Sequence, residues 1–158
     1  MPIQRFQQVI SGTTATSTGT SAVTEILGNV VSGLSKYDWF TVDASLIGNA
    51  VGTLDVYLQR QVSDTSEVTG GVWADWMHFA QLPAGASRVY YTASAYGTDD
   101  LVAVGRGTDA SAGTPALSAS TSLGGHPGEA LRMVAKASTA TRTGAALAVT
   151  ITAWRGRR

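Results

Sequence analysis

The chain has 158 residues, 44% hydrophobic and only 14% charged, with Lys+Arg 11 balanced by Asp+Glu 11. That length supports one domain with a real core. Zero net charge argues against a nucleic-acid footprint, which needs a basic face. The absence of cysteine excludes disulfides, thiolate chemistry and Cys-type zinc sites.

The N-terminal MPIQRFQQVI lacks the apolar core of a signal peptide, and no window approaches a membrane span. The expectation is synthesis and assembly in the cytoplasm, with no membrane partner. SGTTATSTGTS (11–21) carries little apolar content and reads as an arm or an edge strand. We therefore place a boundary near residue 20, with residues 1–20 as arm or edge strand and 21–158 as one sandwich domain. SAVTEILGNVVSGL (21–34) reads as one or two strands turning near Gly28-Asn29, with a short helix as the alternative.

Period-two alternation then dominates. KYDWFTVDASL sets Tyr37, Trp39 and Thr41 against Asp38, Phe40 and Val42. TLDVYLQRQV sets Leu54, Val56 and Leu58 against Asp55, Tyr57 and Gln59. SRVYYTASAY, ALRMVAKA and ALAVTITAW repeat the pattern. The expected core includes Leu54, Val56, Leu58, Val89, Tyr91, Leu131, Met133, Leu147, Val149 and Ile151. Segment 105–128 is almost free of large apolar groups and reads as a long Gly/Ser/Ala-rich surface loop. Short strands between turn signals, without a convincing helix, predict an all-β antiparallel sandwich. A jelly roll is the first choice and an immunoglobulin-like sandwich the second.

The chemical motifs are sparse. His78 and His126 are the only histidines, and no GxSxG elbow exists to place a serine beside either. His78 reads as a partly packed strand residue sharing a face with Trp76. His126, in GGHPG, reads as an exposed loop residue. Asp64 with Glu67, and Asp99 with Asp100, fall short of an EF-hand ligand set. Gly105-Arg106-Gly107 is no P-loop. No catalytic residue, metal site or cofactor is predicted, and an enzyme is not expected.

Carbohydrate binding is the strongest chemical alternative. Trp73, Trp76, Tyr57 and Tyr90 are candidates to stack on sugars. Strand geometry sends Trp73 and Trp76 to opposite faces unless a bulge intervenes. Arg155, Arg157 and Arg158 cluster at the C-terminus, where guanidinium groups suit carboxylates or phosphates on a neighbour.

Residues 54–79 carry a resemblance. Leu54, Val56, Leu58 and Gln59, then Asp64, then Trp73, Asp75, Trp76 and Phe79, resemble small β-sandwich structural proteins of tailed bacteriophages. LRMVAKASTATRTGAALAVTITAW resembles the closing hairpin of the same proteins. The resemblance implies a capsid decoration or cement protein in the virion, assembled in the host cytoplasm. It also implies a homotrimer whose partners are the major capsid protein or other virion proteins. Nine of the eleven basic residues are Arg, which suits fixed contacts across an interface. Phe6, Trp73, Trp76, Arg155, Arg157 and Arg158 are the expected interaction residues. A carbohydrate-binding or tail receptor-binding module remains the alternative.

Overall fold

The structure is a computed structural model that describes residues 4–14, 17–18, 23–47, 53–63, 72–79, 81, 89–96, 121–122, 126–137, 141–142 and 144–155. Eleven strands and no helix occur among them. They are β1 (Gln4–Thr13), β2 (Ser17–Thr18), β3 (Val23–Val31), β4 (Trp39–Ile47), β5 (Leu54–Ser63), β6 (Val72–His78), β7 (Val89–Tyr96), β8 (Thr121–Ser122), β9 (Leu131–Ala137), β10 (Thr141–Arg142) and β11 (Ala146–Arg155).

Two antiparallel sheets form the sandwich. One has the order β1-β11-β4-β7, the other β3-β9-β5-β6-β8, and β10-β2 is a separate pair. Setting aside the two-residue strands leaves eight. The first sheet then holds the first, eighth, third and sixth of these, and the second holds the second, seventh, fourth and fifth. That interleaving is jelly-roll order. The predicted fold class is thus the observed one.

Alternation explains which faces meet. In β4, Phe40, Val42 and Ala44 are buried, while Trp39 and Asp43 are exposed. In β11, Leu147, Val149, Ile151 and Ala153 point into the same core. The second sheet answers with Leu54, Val56, Leu58, Leu131, Met133 and Ala135. Of the predicted core, Val89 and Tyr91 have side chains outside the described residues; the other eight are buried.

Within the stretch 21–34, Val23–Val31 is a single strand carrying a bulge. Leu27 faces Met133 and Val31 faces Leu131, so two extra residues accumulate on β3. Gly28 sits there at φ +70 and lies against the β1 edge: a Cβ on it would stand 2.7 Å from the Ser11 carbonyl oxygen. Where the sequence leads one to expect a turn near Gly28-Asn29, the strand runs on through a bulge.

Residues 4–13 form an edge strand paired with β11 along its whole length. Most of the 105–128 loop expected from the sequence lies outside the described residues.

Candidate functional site

The outward face of the second sheet is built from the polar half of the β5 alternation. Register places Gln59 beside Arg132 on β9 and Asp75 on β6. Arg132 donates through Nε at 2.9 Å and Nη2 at 2.7 Å to Gln59 Oε1. Gln59 Nε2 then donates to Asp75 Oδ1 at 2.8 Å. One amide thus joins a buried cation to a buried anion. The Trp73 ring lies under the Arg132 guanidinium, 4.5 Å from its centroid.

The next row holds Val134, Tyr57 and His78. The Tyr57 and His78 rings are 3.9 Å apart. His78 Nε2 lies 3.2 Å from Asp55 Oδ1, which also accepts from Gln81 Nε2 at 3.0 Å. Burial pushes the Tyr57 hydroxyl well above the usual phenol range, and the charges of Asp55 and Asp75 push the same way. It stays protonated at any physiological pH. Arg132, Gln59, Asp75, Tyr57, His78 and Trp73 are all buried. This cluster neutralises its own charges, which is what a buried polar set needs to persist in a fold.

A bulge sets these positions. Leu58 pairs with Met77 and Gln59 with Asp75, so Trp76 is an extra residue on β6. It drops into the core with no exposed surface. The bulge also shifts the alternation after it. His78 shares its face with Trp73 and Asp75, not with Trp76 as simple alternation predicts.

Two predicted interaction residues are corrected by burial. Trp73 keeps 5% of its surface exposed and Trp76 none, so neither ring is an exposed anchor. With Tyr57 also buried, Trp73, Trp76 and Tyr57 are not available to form the sugar platform weighed as the alternative; the Tyr90 side chain lies outside the described residues. Phe6 is half-buried, packs on the core and lies 5.3 Å from the Tyr37 ring. Arg155 is exposed at the end of β11. Arg157 and Arg158 lie outside the described residues, as do Asp64, Glu67, Asp99, Asp100 and Arg106. Among the described residues, no group of three or more His, Cys, Asp or Glu is placed to hold a metal.

His126 is not the exposed loop residue expected. Its Nδ1 accepts from the Gly128 N–H at 2.9 Å, so Nε2 carries the proton it donates to the Tyr37 carbonyl at 2.7 Å. Its ring meets Phe40 edge-on at 5.0 Å. Its own carbonyl accepts from Arg60 Nη1 at 3.2 Å. One residue therefore ties β4 and its preceding loop to β5 in the opposite sheet.

The outward face of the first sheet is different. Register aligns Arg5, Trp154 and Trp39 in one row, with Tyr96 next along the backbone ladder. The neighbouring rows run Gln7, Thr152, Thr41 and then Val9, Thr150, Asp43. Trp39 is 55% exposed and Trp154 partly so. Neither tryptophan is among the contact residues expected from the sequence. The signal was present in the alternation of 37–42, which already opposed Trp39 to Phe40 and Val42.

No protein-family model and no curated protein matches this chain. Among solved structures it is similar to one titled "Crystal structure of 60-mer BFDV Capsid Protein". The identity is 8%, the match covers 99% of this chain and 96% of that chain, and the TM-score is 0.34. So distant a likeness carries no argument about function, and the jelly-roll order stands on the strand pairing itself.

Proposed function

We propose that this chain is a non-enzymatic virion structural protein. In this reading it is a capsid decoration or cement subunit that associates as a trimer and binds a shell built of the major capsid protein. The observation that carries the reading is the state of β1. Gln7, Gln8 and Val9 are consecutive and all exposed, although Gln8 takes the core-side parity of Phe6 and Ile10. The strand therefore overhangs the sandwich at its edge. The part of that edge ahead of the β3 contact at Ile10–Gly12 carries no proline or lysine and is a template for pairing with another chain. Low charge and the Arg-for-Lys bias support a life in contact with other proteins.

Truncating the N-terminus does not test this, because β1 pairs along its length with β11 and buries Ile10 completely. The double variant Gln8→Lys, Val9→Lys places charge on the overhang and leaves the core untouched. Wild-type protein should be oligomeric by light scattering and should co-sediment with shells lacking it. The variant should be monomeric, stay with the supernatant, and retain its melting temperature. A monomeric wild type that ignores such shells removes the proposal.

A further inference from the structure

We infer that the outward face of the β1-β11-β4-β7 sheet is a saccharide-binding surface. Trp39 and Trp154 form its stacking floor, and the ligand class is a neutral oligosaccharide. The row containing Arg5, Trp154 and Trp39 crosses three neighbouring strands about 4.8 Å apart, so the two tryptophans stand on adjacent strands with Arg5 one strand beyond Trp154. Among the described residues Trp39 is the most exposed aromatic ring, at 55%, and Trp154 is partly exposed.

The neighbours select the occupant. Beside the tryptophans stand exposed Gln7 and partly exposed Thr41, with Thr152 buried between them, and beyond them Val9, Thr150 and Asp43. Arg5 Nη2 donates to Gln7 Oε1 at 3.4 Å, linking the first row to the second. These are hydroxyls, an amide and one carboxylate on a rigid ladder. They match a ligand with hydroxyls at its rim and an apolar C–H face for the indoles. A protein partner would want a contiguous apolar centre. Among the described residues the exposed large apolar ones are instead dispersed: Val9 and Trp39 here, Ile26 and Val30 on β3, Val62 on β5. One cation, Arg5, and one anion, Asp43, cancel across these rows. A neutral ligand therefore fits better than an acidic one, which would meet Asp43. The surface shares Gln7 and Val9 with the proposed β1 contact, so the test is placed on Trp39 and Thr41, which lie on β4 two strands away from it.

The purified full chain is screened on an array of neutral and acidic oligosaccharides, and binders are titrated by saturation-transfer NMR and calorimetry. At least one neutral oligosaccharide should bind. Trp39→Ala should weaken it about tenfold or more, equivalent to about 1.4 kcal/mol. Trp39→Phe should restore most of the affinity, because an aromatic face returns. Thr41→Val, nearly isosteric, should weaken binding several-fold with the circular dichroism spectrum unchanged. That variant keeps the test intact even if Trp39→Ala folds poorly. The inference is overturned if no neutral glycan binds, if binding is confined to acidic glycans, or if it survives Trp39→Ala and Thr41→Val unchanged. It is equally overturned if Trp39→Ala alters only the oligomeric state.

Discussion

Trp76 and Trp39 are the same residue type under opposite constraints. Trp76 is a bulge residue with no exposed surface, packed among the side chains of both sheets. Trp76→Ala should cost about 3–5 kcal/mol, read as a lower urea midpoint, because a ring-sized cavity cannot close in a dense core. Trp39→Ala should cost below about 1 kcal/mol in the same assay, since little packing is lost at an exposed site. Gln59 is a different case. Its amide holds both Arg132 and Asp75. Gln59→Ala should destabilise by roughly 2–3 kcal/mol, because it removes buried hydrogen bonds to charged groups. Glu129 contributes an acid-sensitive increment of stability. A hydrogen bond from the Ser35 side chain, the Gly33 and Ser35 N–H groups and nearby Lys36 hold its carboxyl below the ordinary glutamate value. Its folded value is depressed, so its contribution is fully present above the unfolded value and is lost as pH falls through the folded one. The melting-temperature gap between wild type and Glu129→Gln should be largest near neutrality and close below about pH 4.

Among the elements, β3 and β1 depend on one backbone contact. Gly28 and Gly33 both have positive φ, +70 and +77, so alanine is strained at either by about 1–2 kcal/mol. Only Gly28 is also crowded: an alanine methyl there would stand 2.7 Å from Ser11 O and 2.9 Å from Ile10 Cγ2, whereas Gly33 has open space. Gly28→Ala should therefore be the more destabilising of the two. It should also raise hydrogen exchange in Ile10–Gly12, while Gly33→Ala should leave those amides protected. A result with the two variants equal would mean that β3 does not clamp the β1 edge. The turn chemistry of Gly28-Asn29 was legible in the sequence. That the chain continues as the same strand was not, because only the β9 register distinguishes a bulge from a hairpin turn.

At the scale of the molecule, the two sheets are joined at one end by His126. Its imidazole and carbonyl reach Tyr37, Phe40 and Arg60, which belong to both sides of the sandwich. His126→Ala should lower stability by roughly 2 kcal/mol, the sum of two ordinary hydrogen bonds and some packing. Unfolding should remain a single transition when followed by tryptophan fluorescence and far-UV circular dichroism. Local reasoning about Gly and Pro around His126 could not see this, since its partners lie 89 and 66 residues away in sequence.

Alternation in the strand runs was enough to establish an all-β sandwich and most of its core. A period of two is imposed locally by the pleat, and burial of one face makes it visible. The same rule set Phe40 and Val42 inward and Trp39 outward. It failed where the tertiary structure changes the count or buries both faces. The extra residue at Trp76 moved His78 to the other side of β6. In β9, Arg132 and Val134 are buried along with Leu131 and Met133, so polarity there does not mean exposure. Pairing across strands decides whether a polar side chain finds its partner inside the fold, and that pairing joins residues far apart in the chain.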